Sequence, residues 1–250
     1  MSALTNLKRL SYLWILQIIS GWVSGWLLVL LVIPLVLGML STPIVGLLLG
    51  IIPIGINIYT LYLTLLFNRI ENCGSLKLGI YISLLAYFLA LISFCTNFDT
   101  LLGILGIAWS ISTIGSLLMC VGFIKIGKNT NIRLWLFGGI LYAIFPPIGG
   151  ILIGIGYEGL RKSIQELLNS DVVRKVNAVI INRIFDRQSK IPISGIKREV
   201  DLPETKLKLL IATILEEFPL GKIKEELIVV NKKLQETLIR LEYLLPKVAV

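Results

Sequence analysis

Between Leu10 and Tyr157 the chain carries only seven charged residues: Arg69, Glu71, Lys77, Asp99, Lys125, Lys128 and Arg133. They fall between apolar runs at about 10–40, 44–67, 78–94, 101–124 and 134–157, and none lies inside a run. A helix of about 20 apolar residues is the length that crosses a ~30 Å hydrocarbon layer. With 56% hydrophobic residues overall, the chain has more apolar surface than a water-soluble core can hide. The pattern predicts an all-α transmembrane bundle of about five membrane segments over residues 1–157, in contact with the lipid bilayer.

Charge divides the chain. Up to residue 157 the balance is 7 − 2 = +5, and from Glu158 onward it is 17 − 13 = +4, which together give the net +9. The second region reads as a connecting helix, 158–170, and a small soluble domain, 171–250. Seven basic residues at the edges of apolar runs suit anionic headgroups and the positive-inside rule. An excess of four among the tail's charges does not by itself point to nucleic acid.

Several chemistries are excluded. The chain has no histidine, which removes histidine acid–base catalysis and histidine zinc or haem ligation. Cys73, Cys95 and Cys120 have no paired spacing, so neither a disulfide framework nor a cysteine metal site is expected. No Asp, Glu, Lys or Arg lies within an apolar run, whereas intramembrane proton relays and hydrolases require such groups. Gly154, Gly156 and Gly159 match G-x-G-x-x-G, but they end an apolar run with no preceding strand, so no cofactor is expected. Gly21/Gly25, Gly46/Gly50 and Gly150/Gly154 have the small-xxx-small spacing that lets membrane helices approach. Ser110, Ser112, Thr113 and Ser116 are placed to hydrogen-bond across a helix pair. The expectation is a non-enzymatic protein with no catalytic, cofactor or metal site.

Orientation is under-determined. Lys8/Arg9, the Arg69–Lys77 loop and Lys125/Lys128/Arg133 should share the cytoplasmic side. Five crossings would then put the tail outside, although its basic start, Arg161-Lys162, belongs inside. Either 10–40 is a hairpin broken near Gly21–Gly25, or 134–157 re-enters at Pro146-Pro147. If 10–40 is unbroken, Tyr12, Trp14, Trp22 and Trp26 are expected near headgroups.

In the tail, Asn169-Ser170-Asp171 supplies an N-cap for a helix over 172–186 with a stripe of Val173, Val176, Ile180 and Ile184. A short loop over 188–192 follows. Ile193, Ile196 and Val200 have helical spacing, and Asp201-Leu202-Pro203-Glu204 makes a turn. Leu207, Leu210, Ile211 and Ile214 mark a second helix. Two β-prone pieces, 222–224 and 227–230, come next, with Val229 and Val230 expected in the core. Helix, turn, helix and small hairpin resemble the winged helix-turn-helix family, whose members read DNA or dock proteins. Asn231 can cap a last helix over 232–245, with Leu234, Leu238, Leu241 and Leu245 available for packing or self-association into a homo-oligomer.

The runs LLGILGIAWSISTIGSLLMCVGFIKIGK and GGILYAIFPPIGGILIGIG resemble a set of uncharacterised crenarchaeal Gly/Ile-rich multi-pass membrane proteins. That resemblance implies an archaeal plasma membrane and carries no activity. The favoured expectation is a cytoplasmic winged-helix module that recruits a protein partner or membrane-complex subunits through Lys206, Lys208, Leu209, Ala212, Lys222 and Lys224. Leu209 and Ala212 are expected to be exposed. A membrane-tethered DNA-binding regulator is one alternative, because the lysines could meet phosphates, although Glu216, Glu217, Glu225 and Glu226 lie close by. A small-solute transporter or channel subunit is another, with the breaks at Pro53 and Pro146-Pro147 as its only positive sign, since Asn57 alone would be thin equipment.

Overall fold

A computed structural model describes residues 3–36, 51–93, 98–217, 221–224, 226–233 and 235–237. The chain divides into two units. One is Asn6–Gly159, and the other is Leu160–Val250 together with the residues up to Thr5.

Six helices carry the first unit: α1 (Ala3–Val36), α2 (Ile51–Glu71), α3 (Gly74–Ser93), α4 (Phe98–Thr130), α5 (Arg133–Ile144) and α6 (Pro146–Leu168). The ends of α1 and α6 belong to the second unit. α1 runs unbroken through Gly21–Gly25, so the hairpin option for 10–40 is removed. Trp22, Trp26, the Gly21/Gly25 and Gly46/Gly50 pairs and Cys95 lie outside the residues whose side chains are described. Between α2 and α3, the Asn68 carboxamide accepts from Cys73 N–H at 3.0 Å and donates to Cys73 O at 3.1 Å. Asn72, at φ 51°, takes the left-handed turn position that Asn tolerates.

Neighbouring helices pack antiparallel, and glycines set the spacing. A Cβ on Gly79 would lie 2.7 Å from the Gly115 carbonyl oxygen, and one on Gly122 would lie 2.6 Å from Leu76 Cβ. α3 and α4 therefore touch backbone to backbone. Gly154 faces the Ser11 carbonyl and Gly150 faces Ile18, so this small-xxx-small pair seats α6 on α1. Gly156 sits under the Trp135 ring, which places the whole G-x-G-x-x-G run inside a packed helix. Around these contacts Trp14, Phe67, Phe123, Trp135, Tyr142 and Tyr157 form edge-to-face pairs with centroids 5.0–6.3 Å apart. Trp135 Nε1 donates to the Ile153 carbonyl at 3.1 Å. Trp14, expected near headgroups, is instead a core residue at 1% exposure.

The five-segment expectation is corrected. Among the described residues two helices, Gly74–Ser93 and Gly103–Thr130, are long and apolar enough to cross a membrane. The 134–157 run fails because Pro146 and Pro147 have no N–H to donate to the Tyr142 and Ala143 carbonyls. The chain turns at Phe145, and α6 returns antiparallel to α5, with Gly149 against Tyr142 and Gly156 against Trp135. At 12 residues α5 is about 18 Å long, short of the ~30 Å hydrocarbon. The run is thus divided at Pro146-Pro147 into two antiparallel helices. α2 carries Pro53, Asn57, Thr60, Thr64 and Asn68 among its apolar residues and ends in Arg69 and Glu71, which lowers its hydropathy. α3 and α4 turn large apolar side chains outward: Leu85, Phe88 and Leu117 are about half exposed, and Trp109 is 77% exposed. Lipid, not water, is the solvent that such faces suit.

The second unit is α+β. α7 (Asp171–Phe185) is capped by Ser170, whose hydroxyl accepts from Val172 N–H at 3.3 Å. Then follow β1 (Lys190–Pro192), α8 (Ile193–Lys197), α9 (Glu204–Glu217), β2 (Gly221–Lys224) and β3 (Leu227–Val230). The sheet order is β1-β3-β2, all antiparallel, with both Ile191 and Ile223 opposite Ile228. The segment expected as a loop over 188–192 therefore contains a strand. Val176, Ile180 and Ile184 of α7 meet Leu207, Leu210, Ile211 and Ile214 of α9 in one core, closed by Ile191, Ile196 and Ile228. In β3 it is Ile228 and Val230 that point inward, and Val229 belongs to the other face. Asn231 Oδ1 accepts from Lys233 N–H at 3.2 Å, as a cap would. Leu234, Leu238, Leu241 and Leu245 lie outside the described residues.

Candidate functional site

The residues expected to meet a partner sit on α9 and β2. Lys222 is exposed, Lys206 and Ala212 are half-buried, and the Lys224 side chain lies outside the described residues. Leu209 is 1% exposed and Lys208 5%. The exposed Leu209/Ala212 pair is thus corrected: Leu209 is packed away. α9 is buried on two faces. Leu207, Leu210, Ile211 and Ile214 fill the core, while Thr205, Lys208, Leu209 and Thr213 are also buried. At its C-terminal end, Glu216 Oε2 accepts from Ala3 N–H at 2.9 Å, so the start of the chain lies against this helix.

Lys208 is held by charge. Its Nζ lies 2.7 Å from Glu204 Oε1 and 4.0 Å from Glu226 Oε1, and Lys197 Nζ reaches Glu204 Oε2 at 3.3 Å. The hydrogen bond from Lys208 is the main cause holding the Glu204 carboxyl below the usual carboxylate range, against a desolvation that would raise it. This network ties α8, α9 and the β2–β3 turn together, and it occupies Lys208, one of the two lysines of α9.

A second place of interest lies in the first unit, at the α5–α6 break. Gln17, Ile18, Asn57, Tyr87, Tyr142, Pro146 and Pro147 line an open pocket of about 270 Å³. The Tyr142 hydroxyl is within hydrogen-bonding reach of Ser116 and Gln17. Gln17 Oε1 and Asn57 Oδ1 are buried without a protein partner. Asn57 and the double proline stand out in the sequence, but Gln17, Tyr87 and Tyr142 do not. Their only signal is that each is a polar residue eight to twelve positions from a basic helix end. Of the hydroxyls expected to bridge helices, Ser116 does reach across, whereas Ser110 and Thr113 bond back to the Gly106 and Trp109 carbonyls of their own helix. A further cavity, at the α4–α5 turn, is lined by Gly127, Lys128, Asn131, Arg133 and Leu136. It gathers two of the basic residues expected at the membrane edge.

Among the described residues no group of three or more Cys, Asp or Glu side chains could hold a metal ion. No family model matches the chain, and neither a curated protein nor a solved structure shows significant similarity to it.

Proposed function

We propose that the protein is a non-enzymatic multi-pass membrane protein whose second unit is a cytoplasmic winged-helix module that docks a protein partner at the membrane. α3 and α4 would cross the bilayer with Arg69, Lys77, Lys128 and Arg133 on the cytoplasmic side. The re-entrant α5–α6 pair then returns the chain to that same side. The element order of the second unit, helix-strand-helix-helix-strand-strand around a β1-β3-β2 sheet, supports the winged-helix reading.

One observation favours docking over DNA reading. In a helix-turn-helix reader the second helix enters the major groove with exposed polar side chains. Here that helix is α9, where Thr205, Leu209 and Thr213 are buried and Lys208 is committed to Glu204. The surface left for a partner is around Lys222, beside half-buried Lys206. A photo-crosslinking residue at Lys222 in native membranes should capture a second polypeptide, while the same residue at Leu209 should capture only the chain itself. Full-length protein in nanodiscs should retain no DNA fragment in a sequence-dependent manner. Retention of one, falling with salt by about 0.9 log units of affinity per log unit of salt for each phosphate contacted, would establish the tethered regulator instead.

A further inference from the structure

The cavity at the α5–α6 break has a specific chemical imbalance. Gln17 Oε1 and Asn57 Oδ1 are buried acceptors without protein donors. Pro146 and Pro147 withhold two N–H groups from the helical ladder, which leaves the Tyr142 and Ala143 carbonyls without their usual helical donors. Buried acceptors are costly unless something donates to them. Among the described residues no carboxylate, ammonium or guanidinium lines the pocket, so an ion would enter without a countercharge from them. The remaining wall, Ile18 with the proline and tyrosine rings, suits C–H surface. The volume corresponds to about nine waters at roughly 30 Å³ each.

The depth is also defined. Gln17, Asn57, Tyr87 and Tyr142 lie eight to twelve residues from Arg9, Arg69, Lys77 and Arg133 of their own helices. At 1.5 Å per residue that is about 12–18 Å, half of a ~30 Å hydrocarbon layer. A broken helix beside a polar cavity at mid-depth is an arrangement in which membrane proteins hold solutes.

We infer that this pocket is a binding site for a small uncharged polyol, whose hydroxyls donate to Gln17, Asn57 and the Tyr142 carbonyl freed by Pro146. The site goes beyond the docking function proposed above, and only its depth assignment rests on the membrane placement.

The test is equilibrium dialysis of the full-length protein in lipid nanodiscs against labelled erythritol, with labelled rubidium as the ionic comparison. Saturable erythritol retention that glycerol displaces, with no rubidium retention, is expected. Gln17→Leu and Asn57→Leu should each lower erythritol affinity at least tenfold. Asn57→Leu should melt no earlier than the parent, because it removes a buried acceptor that has no protein partner, whereas Gln17→Leu also removes the contact with the Tyr142 hydroxyl. If either melts early, Tyr142→Phe, which keeps the ring, carries the test and should weaken binding several-fold. No saturable erythritol retention, rubidium retention in its place, or undiminished affinity in the folded variants would each overturn the inference.

Discussion

The two units solve the same packing problem in two different ways. Asn6–Gly159 keeps its helices together with glycines, edge-to-face aromatic pairs and buried hydroxyls, and it turns Leu85, Phe88, Trp109 and Leu117 outward. The second unit buries branched aliphatic residues around Ile211 and Ile228, and it turns Arg174, Lys175, Lys197 and Arg198 outward. Lipid offers no hydrophobic drive between helices, so close backbone approach has to supply the cohesion. In water, burial of aliphatic surface supplies it. The difference lies in which side chains face inward, more than in how many are apolar.

That contrast can be broken in order of effect. Leu210→Ala in the second unit should cost about 2–5 kcal/mol, the range for emptying a fully buried leucine site. Leu209→Lys should also destabilise, because the site it would charge is buried. Proteolytic sensitivity of the tail in nanodiscs reads both changes, and a stable Leu209→Lys protein would return that residue to the surface. Next comes the first unit. Gly115→Leu should separate α3 from α4 at a cost of about 1–3 kcal/mol, since a Cβ there meets Ser83 and the Gly79 carbonyl. Gly106→Ala, where a Cβ meets nothing, should stabilise α4 by up to about 1 kcal/mol. Equal effects at the two glycines, measured by thermal unfolding in one lipid, would remove close approach as the cohesive term.

The smallest effect is electrostatic. The folded Glu204 carboxyl is held below its ordinary range, chiefly by Lys208. Its contribution is therefore complete above the unfolded value of about 4.3 and is lost as pH falls through the folded value. With Glu204 44% exposed, solvent screening keeps that contribution below about 1 kcal/mol. The stability difference between wild type and Glu204→Gln should be constant above about pH 5 and shrink below about pH 4. A difference that grows on acidification would contradict the assignment.

The sequence shows the second unit well because a one-sided core imposes a readable period. Val176/Ile180/Ile184 and Leu207/Leu210/Ile211/Ile214 repeat at helical spacing and do form its core. It conceals β1, since three residues ending in Pro192 carry too little alternation to read as a strand. Leu209 misleads because a leucine off the main stripe reads as exposed. Beside Thr205, Ala212 and Thr213, it instead marks a helix apolar enough to be covered on two faces. In the first unit, uniform hydrophobicity hides which runs cross. Hydropathy reads 134–157 as one span, and only the missing proline donors reveal that it folds back. The cavity is legible through Asn57 and Pro146-Pro147 alone, because Gln17, Tyr87 and Tyr142 come together through tertiary packing that no local pattern encodes.

The central claim is that the exposed apolar faces of α3 and α4 meet lipid while the second unit meets water. Single cysteines at Leu85, Leu117 and Arg198, in a chain whose native cysteines are replaced by serine, test it directly. Their reaction rates with a charged thiosulfonate would be measured in inside-out native membrane vesicles. The account predicts rapid reaction at position 198 and negligible reaction at 85 and 117, although all three positions are exposed on the isolated chain. Reaction at 85 and 117 as fast as at 198 would contradict it.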